Sequence, residues 1–482
     1  MTRPSTSFSG PDLCALSARE TVRVLKTGQV SATEVLEASE ARIEQVEPAV
    51  NATVIRAGAR ARQQIEALAK HAGQPINEPG WLSGLPIAIK DLTLVSGLPA
   101  TFGSLALKDT VAQTSDPLVE RLETRGAIIV GKTNTPEFGA GGNTFNAVFG
   151  QTRNPWNTSR NAGGSSGGAA VSLATGEVWL SHGSDLAGSL RTPAAYCGVV
   201  GLRPTPGRCG GGPAATAFSI EGIAGPMARD TRDLALFLDA MVGYDPRHPI
   251  SLDAPTVPFQ TAIDAPDRPL RLAFSEDQRG FAPVEPEIRE ILRAAMEQVQ
   301  SAGHNIDEAC PDLPGLYDTY ITLRGVHYGS INAYLPEAVQ AVFKDTLRHN
   351  TETGRNLRAS KIYDAMRQRT VLYHAMRQFL DGYDVLAIPV VGLEAGPAEQ
   401  EFPPFVDGQP VTDYVDWLRF SFLATTTALP ALSLPVGFTQ SGMPVGLQLI
   451  GPPRGDAKLL HVARQIEDIL ALPTQPIDPI PG

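Results

Sequence analysis

The sequence predicts an α/β protein with a mixed central sheet covered by helices on both faces. Short apolar runs at residues 85–89 and 127–130, bounded by glycine and proline, have the length and composition of buried strands. The segment 117–125 between them predicts a helix, and a strand–helix–strand order favours parallel pairing of the two strands. Residues 315–380 have an almost entirely helical pattern.

The N-terminal residues 12–72 are expected to be helical. Ser31 and Glu34 have the spacing of a capping box, and apolar side chains follow them at helical intervals. Pro48 is expected to interrupt this first helix. Residues 52–72, rich in Ala, Arg and Gln, predict a second helix that faces solvent.

The remaining elements follow from the same patterns. Strands are predicted at 178–180, 270–274, 384–391, 432–436 and 445–450, and helices at 167–175, 231–242, 286–302 and 457–470. We interpret residues 1–482 as one domain and residues 315–380 as a helical cap or insert near the substrate entrance. Residues 395–410 form a Pro/Gly/acidic stretch without predicted structure, long enough to suggest a functional or mobile loop.

Composition and charge exclude several classes of function. A net charge of −11 lacks the basic surface that nucleic-acid binding requires. No apolar run has membrane-spanning length and the first ten residues lack the apolar core of a secretory signal, so a cytoplasmic protein is expected. The four cysteines show neither Cys-x-x-Cys spacing nor histidines at metal-ligand intervals, which predicts free thiols and no bound metal.

A glycine-rich turn at residues 163–168 is the first candidate for chemistry. Such a turn at the start of a helix can cradle phosphate, but the Gly-Lys-Ser/Thr ending of a phosphate loop is absent. The turn also satisfies the Gly-x-Ser-x-Gly pattern of a nucleophile elbow, centred on Ser165 or Ser166. That elbow needs a later histidine, and the available ones lie in polar helical stretches without an evident acidic partner: His327, His349, His374 and His461.

A second serine turn lies at residues 183–193. Small residues before Ser189 leave backbone N–H groups unshielded, as an oxyanion hole requires. Asp185 and Arg191 flank Ser189 closely enough to form a buried pair that braces the loop.

A lysine upstream completes the pattern. Lys90 ends the apolar run 85–89, and Ser165 and Ser189 lie 24 positions apart. A serine needs a base to become a nucleophile, and a second serine with a lysine supplies that base without histidine. The combination indicates a hydrolase of amides.

These motifs, in this order, resemble the amidase signature family. The resemblance covers residues 84–225 and again 427–451. The blocks that carry it are residues 84–91, 131–138, 163–168, 183–193, 201–205, 225–229, 429–435 and 442–451. The family fold is α/β, so residues 84–230 are expected to form the amidase signature core.

The resemblance implies a Ser–cisSer–Lys triad. Ser189 has the position of the nucleophile, Ser165 follows a cis peptide bond and relays the proton, and Lys90 is the base that burial must keep neutral. Ser166 is the rival for the relay, but the family spacing of 24 residues to the nucleophile selects Ser165. Lys132 is the competing lysine and is interpreted as structural.

By the same resemblance, the oxyanion donors are the backbone N–H groups of Leu186, Ala187, Gly188 and Ser189. Ala187 stands where the family commonly has glycine. A residue with a Cβ adopts positive φ reluctantly, so we expect that this position does not require it.

Substrate contacts are expected on both sides of the triad. The candidates for the acyl side are Gly141, Gly142, Asn143 and Phe145. The candidates for the leaving-group side are the aromatic and hydroxyl-rich stretch 417–427, which begins with Trp417, together with Tyr317, Tyr320 and Tyr328. Arg208, in a glycine-rich loop at 207–212, is the candidate for a gate.

The predicted activity is hydrolysis of small-molecule amides, aryl or alkyl, with carbamates and esters open to the same chemistry and no cofactor required. The alternative is the family's other role, the glutaminase subunit of a tRNA-dependent amidotransferase. That role needs a stable heteromeric complex and a polar pocket, and the aromatic character of residues 315–380 disfavours it. The expected partner is the substrate alone, without nucleic acid or membrane, and a homodimer is common for such enzymes.

Overall fold

The computed structural model describes residues 4–70, 78–210 and 214–482. Its strands, numbered along the chain, are β1 (Ile55–Arg56), β2 (Pro86–Lys90), β3 (Ile128–Thr133), β4 (Phe145–Asn146), β5 (Gly150–Gln151), β6 (Arg153–Asn154), β7 (Asn157–Asn161), β8 (Leu180–Asp185), β9 (Val200–Arg203), β10 (Ile223–Ala228), β11 (Arg271–Phe274), β12 (Asn305–Glu308), β13 (Val385–Pro389), β14 (Phe405–Val406), β15 (Gln409–Pro410), β16 (Ala431–Phe438) and β17 (Pro444–Ile450).

Eleven strands of the described chain form one sheet, in the order β1-β3-β2-β8-β10-β9-β16-β17-β13-β11-β12. β2 is parallel to both its neighbours, β3 and β8, and β11 is parallel to β12 and β13. The strands from β8 through β10, β9 and β16 to β17 pair antiparallel. The prediction of a mixed sheet is therefore confirmed, and so is the parallel pair on either side of the helix near residue 120.

The helices are α1 (Asp12–Ala15), α2 (Ala18–Lys26), α3 (Ala32–Val50), α4 (Gly58–Ala69), α5 (Pro117–Thr124), α6 (Gly167–Ala174), α7 (Arg191–Cys197), α8 (Thr231–Met241), α9 (Phe259–Ala262), α10 (Pro286–Ser301), α11 (Leu316–Ile331), α12 (Glu337–Gln340), α13 (Asp345–Arg355), α14 (Ala359–Phe379), α15 (Phe422–Thr427) and α16 (Asp456–Leu470). The helices α11 to α14 occupy most of residues 315–380, as predicted.

Helices cover both faces of the sheet, and the side chains of β2 show how. Every residue of β2 is buried. Ala88 packs in a cluster with residues of α3, α6 and α7, whereas Ile87 and Ile89 belong to a second cluster with residues of α5 and α8. Because side chains alternate along a strand, β2 must be apolar on both faces, and this produces the continuous apolar run in the sequence.

The N-terminal predictions are confirmed in part. The capping box is formed: the N–H of Glu34 donates to Ser31 Oγ at 3.2 Å, and the N–H of Ser31 donates to Glu34 Oε2 at 2.7 Å. Pro48 does not interrupt α3, because it lies in the last turn, where the helix loses one donor just before its end. The predicted helix 52–72 begins later, since Ile55 pairs with β3, and its residues 71 and 72 lie outside the described chain.

Most other predicted elements are found within three residues of their expected bounds. The exception is β8, predicted at 178–180 and found at Leu180–Asp185. Residues 181–185 are Ser, His, Gly, Ser and Asp, which give no apolar signal, yet they form a central strand bonded by β10 along its whole length. This misassigned strand leads directly into the second serine turn.

The segment 395–410 is anchored, and the prediction that it lacks structure was wrong. β14 and β15 form a two-stranded hairpin within it. Asn143 Nδ2 donates to the carbonyl oxygens of Ala398 and Gln400, both at 2.8 Å. Lys344 Nζ forms an ion pair with Glu401 at 2.7 Å. These bonds come from residues far away in sequence, so composition alone does not reveal them.

Candidate active site

The candidate catalytic residues meet at the carboxyl ends of β2 and β8. Lys90 is the last residue of β2, Ser165 precedes α6, and Ser189 lies in the turn between β8 and α7. Parallel neighbouring strands end at the same edge of a sheet, where α/β proteins form their ligand crevices. The Gly164–Ser165 peptide bond is cis. The N–H of Ser166 donates to the carbonyl of Ser189 at 3.2 Å and joins the two turns.

Lys90 is fully buried among hydroxyl groups. Its Nζ lies 2.7 Å from Ser165 Oγ, 2.8 Å from Ser166 Oγ and 3.2 Å from Ser184 Oγ. Burial lowers the pKa of the Lys90 amine to about 7, and the negative charge of Asp185 opposes that shift only in part. A neutral amine has two N–H donors and one lone pair. The three surrounding hydroxyl groups can each donate or accept, so together they can satisfy all three positions.

Asp185 braces the second turn from the end of β8. Arg191 donates to it from Nε at 3.0 Å and from Nη2 at 2.7 Å, and Arg203 Nη1 lies 3.6 Å from Oδ1. The N–H groups of Gly188 and Leu190 donate to the same carboxylate, each at 3.1 Å. Burial alone raises the pKa of Asp185, but these guanidinium groups outweigh it and hold the pKa well below its usual range. The charge that reaches Lys90 from Asp185 is therefore largely neutralised.

Three of the four candidate oxyanion donors have an open N–H group. In the described part of the chain we find no hydrogen-bond partner for the N–H of Leu186, Ala187 or Ser189, whereas that of Gly188 donates to the carboxylate of Asp185. Ala187 does not adopt a positive φ, in agreement with the expectation from sequence.

Gly188 is the residue of this turn that must be glycine. Its φ is +87°, a conformation that side chains with a Cβ rarely adopt. A Cβ at this position would also lie 2.9 Å from Thr192 Oγ1. The departure from the family pattern at Ala187 is thus tolerated because the left-handed residue is its neighbour.

Ser165 and Ser166 differ in their surroundings. Ser165 and Ser189 both line a cavity, whereas Ser166 is fully buried and donates from Oγ to the carbonyl of Ser184 at 3.2 Å. Lys90 contacts three hydroxyls, and those of Ser165 and Ser184 belong to cavity residues. Of the two rivals for the relay, Ser165 rather than Ser166 lines the cavity with Ser189.

That cavity has a volume of about 380 Å³ and largely apolar walls. Its apolar residues come from several distant parts of the chain: Leu92, Leu94, Phe102, Leu118, Phe138, Leu186, Ile223 and Ile331. Ile331 ends α11, so the helical insert contributes to the wall. Among the described lining residues there is no arginine or lysine.

The four residues predicted for the acyl side do not line this cavity in the described structure. Asn143 holds the segment 395–410 through its side-chain amide. The Lys344 ammonium lies 5.0 Å from the ring centroid of Phe145. Gly142 is covered by the indole of Trp417. The backbone of Gly141, Gly142 and Asn143 instead packs against Gly164 in the first serine turn, where an added Cβ would lie within about 3.0 Å of all three.

The candidates for the leaving-group side are mostly outside the cavity too. Tyr328 lines it, but Trp417 stacks on the ring of Tyr196 with centroids 6.4 Å apart. Tyr317 Oη donates to Asp416 Oδ1 at 2.8 Å. Tyr320 packs on Phe422, and its hydroxyl points to the carbonyl of Leu186 at 3.5 Å.

Arg208 is also away from the cavity. It donates from Nε to Asp456 at 3.2 Å and from Nη1 to the carbonyl of Asp253 at 3.3 Å. Arg208 therefore joins its own loop to the start of α16 and to the segment around Asp253. The glycine residues 211 and 212 beside it lie outside the described chain.

His182 is a cavity residue that sequence reasoning missed. It lies on β8, two positions before Ser184, so both side chains face the same side of the sheet. Neither ring nitrogen has a hydrogen-bond partner in the described residues. Burial, together with the charge of Lys90, lowers the pKa of His182 to about 3, so the imidazole is neutral. Little in the sequence pointed to it, because the strand was predicted to end at residue 180, before His182.

The nucleophile-elbow alternative finds no base. His327 lines the cavity, but its Nδ1 lies 3.4 Å from Ser219 Oγ. In the described chain no histidine forms a hydrogen bond with Ser165 or Ser189, whereas the amine of Lys90 does so with Ser165.

Three further features bear on possible ligands and environment. The described residues hold no group of three or more His, Cys, Asp or Glu side chains arranged to bind a metal ion. The cysteines are free thiols. In the same part of the chain, no helix combines the length and apolar character needed to cross a membrane.

Comparison with known proteins gives a consistent result. The sequence model of the Amidase family matches residues 34–460. The chain is 34% identical over 471 residues to an acylamidase of Rhodococcus erythropolis, covering 94% of this chain and 95% of that protein. It is also 34% identical over 477 residues to a glutamyl-tRNA(Gln) amidotransferase subunit of Synechococcus sp. (strain RCC307), covering 93% and 96%.

Solved structures agree with these relatives. A bacterial aryl acylamidase of the amidase signature enzymes superposes with a TM-score of 0.87 at 28% identity, covering 94% of this chain and 96% of its own. A 6-aminohexanoate cyclic dimer hydrolase complexed with substrate gives a TM-score of 0.84 at 28% identity, covering 96% and 98%. This chain therefore belongs to the amidase signature family and is a hydrolase of amide C–N bonds.

Proposed function

We propose that this amidase hydrolyses small-molecule aryl or alkyl amides through an acyl-enzyme on Ser189, with Ser165 as the proton relay and Lys90 as the base. The observation that carries the proposal is the buried Lys90 amine, 2.7 Å from Ser165 Oγ and without a carboxylate partner in the described chain. A pKa of about 7 makes that amine available as a base near neutral pH.

In the acylation half, Ser189 Oγ attacks the carbonyl carbon while its proton passes to Ser165 and the Ser165 proton passes to Lys90. The carbonyl oxygen becomes negative and faces the open N–H groups of the second serine turn. The C–N bond then breaks, and the proton returns from Lys90 through Ser165 to the departing nitrogen. The amine leaves and the acyl group remains on Ser189.

In the deacylation half, water attacks the acyl carbon and gives its proton to the same relay. The ester bond breaks, Ser189 Oγ recovers a proton, and the carboxylic acid leaves. Since only the neutral amine of Lys90 accepts the first proton, activity rises with pH as Lys90 deprotonates and then levels off.

The cavity supports an apolar substrate. Leucine, isoleucine and phenylalanine side chains dominate its walls, which suits an aryl or alkyl group on either side of the amide. Carbamates and esters pass through the same tetrahedral oxyanion, so they belong to the same proposal.

The amidotransferase relatives are equally similar in sequence, but the cavity disfavours glutamine. Free glutamine brings a carboxylate, which binds best to a cationic side chain. The described lining contains no arginine or lysine, and its two acidic residues are Asp116 and Asp185. Asp185 is paired with Arg191 and Arg203, whereas a charged Asp116 would repel that carboxylate. Ammonia release from glutamine, measured beside hydrolysis of p-nitroacetanilide, separates the two functions.

The test of the mechanism replaces the proposed nucleophile. Ser189→Ala is expected to reduce p-nitroaniline release from p-nitroacetanilide by at least about a thousandfold. Ser172→Ala is the matched control, because this buried hydroxyl donates to the carbonyl of Ala169 within its own helix. Intact-protein mass spectrometry with a slowly deacylating ester should show an adduct on wild type and none on Ser189→Ala. Retained activity in Ser189→Ala would contradict the mechanism.

A further inference from the structure

The peptide group between Leu186 and Ala187 is fixed by two hydroxyl groups at its carbonyl oxygen. Thr425 Oγ1 donates to the carbonyl oxygen of Leu186 at 2.9 Å, and Tyr320 Oη approaches the same oxygen at 3.5 Å. In a planar trans peptide the C=O and N–H point in opposite directions. The N–H of Ala187 therefore points away from Thr425, on the side of the peptide opposite to the helix α15.

The N–H of Ala187 is one of the open donors of the second serine turn. Gly188 and Leu190 donate to the carboxylate of Asp185, so their N–H groups are already used. The N–H of Ala187 has no partner within the described residues. Leu186 and Ser189, which flank Ala187 in the sequence, both line the cavity. The Leu186–Ala187 peptide therefore lies next to the part of the cavity that holds the proposed nucleophile.

Two buried cations lie behind the same carbonyl. Arg191 Nη2 donates to Thr425 Oγ1 at 3.5 Å, and Arg324 Nη1 donates to Tyr320 Oη at 3.5 Å. Both guanidinium groups are buried. Arg191 is paired with Asp185, whereas Arg324 has no carboxylate partner in the described chain, so the field of Arg324 is the less screened one. A positive charge near a carbonyl oxygen polarises the peptide and makes its N–H a stronger donor.

We propose that Thr425 is a positioning residue for catalysis: its hydroxyl fixes and polarises the Leu186–Ala187 peptide so that the Ala187 N–H stabilises the oxyanion. This inference rests on the proposed function of Ser189. It also explains how the turn works with alanine at position 187. The direction of the Ala187 N–H is set by the hydrogen bond from Thr425 to the carbonyl of Leu186, in the same peptide group. Thr425 itself does not line the cavity and touches no reacting atom.

The test uses two substitutions at one position. Thr425→Val removes the hydroxyl and keeps the shape, whereas Thr425→Ser keeps the hydroxyl. Thr427→Val is the matched control, since Thr427 is equally buried on α15 and donates to the carbonyl of Leu423 at 2.7 Å. Loss of a complete oxyanion donor lowers kcat by about 10²–10³, so loss of its positioning should lower kcat by roughly 10–100-fold.

The expected pattern is a fall in kcat for Thr425→Val with KM changed less than about threefold, and recovery in Thr425→Ser, because the interaction acts in the transition state. Binding of a trifluoromethyl ketone, which forms a tetrahedral adduct with a serine, should weaken by the same factor as kcat. If Thr425 were only structural, the loss of inhibitor affinity and the loss of kcat would not be equal. Thr427→Val should keep wild-type kcat and a similar melting temperature.

Three outcomes overturn the inference: wild-type kcat in Thr425→Val, an equal loss in Thr425→Ser, or an equal loss in Thr427→Val. If Thr425→Val does not fold, Thr425→Ala removes the same hydroxyl without a new methyl contact and is judged by the same criteria. Failure of the proposed function itself is seen separately, as activity retained in Ser189→Ala.

Discussion

Two buried lysines on neighbouring strands have opposite surroundings. Lys90 on β2 and Lys132 on β3 are both fully buried, and in the parallel ladder Lys132 pairs with Ile89, the residue before Lys90. Lys132 Nζ forms an ion pair with the carboxylate of Asp91 and donates to the carbonyl of Pro99 at 2.7 Å. Among the described residues, the hydrogen-bond partners of Lys90 Nζ are all hydroxyl groups.

The difference teaches what distinguishes a base from a structural ammonium. Burial lowers the pKa of both lysines, but at Lys132 the adjacent carboxylate of Asp91 opposes the effect directly. At Lys90 the charge of Asp185 opposes the effect only in part, because Arg191 and Arg203 pair with that carboxylate. A carboxylate beside a buried lysine favours the charged form of the amine, as Asp91 does for Lys132, whereas the hydroxyl groups around Lys90 do not.

The largest expected effect comes from removing the base. Lys90→Met should lower kcat for p-nitroacetanilide by about 10²–10⁴, the range of a lost general base. Because the folded pKa of Lys90, about 7, lies below the unfolded value, the wild type gains stability as pH rises from about 7 to about 10.4, and Lys90→Met should lack that gain. Urea unfolding at pH 7 and 10 measures it. Activity near wild type in this variant would refute the role of Lys90.

A smaller effect on activity, but a loss of stability, is expected at the other lysine. Lys132→Met leaves the carboxylate of Asp91 buried without its cation and should cost about 3–5 kcal/mol of unfolding free energy. The double variant with Asp91→Asn should recover part of that loss. Denaturant titration and kcat of the folded protein check both statements. A Lys132→Met variant that is as stable as wild type but inactive would contradict the structural role of Lys132 and indicate a catalytic one.

The sequence allowed much of the fold to be predicted because apolar runs mark strands that are buried on both faces. β2 and β3 were found this way, together with most of the helices. β8 was largely missed, since its residues 181–185 are small or polar and their pairing with β10 is a long-range property. The Pro/Gly-rich segment 395–410 was misjudged for the same reason, as its anchors lie near residues 143 and 344.

The candidate site could also be predicted only in part: the proposed triad was found in the sequence, and the cavity walls were not. Lys90, Ser165 and Ser189 belong to contiguous motifs whose glycine and serine spacing is visible in the sequence. The cavity walls are assembled from side chains far apart in the chain, such as Leu92, His182 and Ile331, and no local pattern marks them. Thr425 lies in the stretch 417–427 that the sequence offers for the leaving-group side, but its bond to the carbonyl of Leu186 is seen only once the fold brings α15 to the second serine turn.

The most direct test of the proposed mechanism is the titration of Lys90 itself. In protein labelled with ¹³C at lysine Cε, the Lys90 signal is assigned by its absence from the spectrum of Lys90→Met. A buried amine among hydroxyl groups should give a midpoint near pH 7 for this signal, because burial lowers its pKa to about 7. A midpoint near 10.4, the value of a solvated lysine, would show a permanently charged Lys90 and contradict its role as the base.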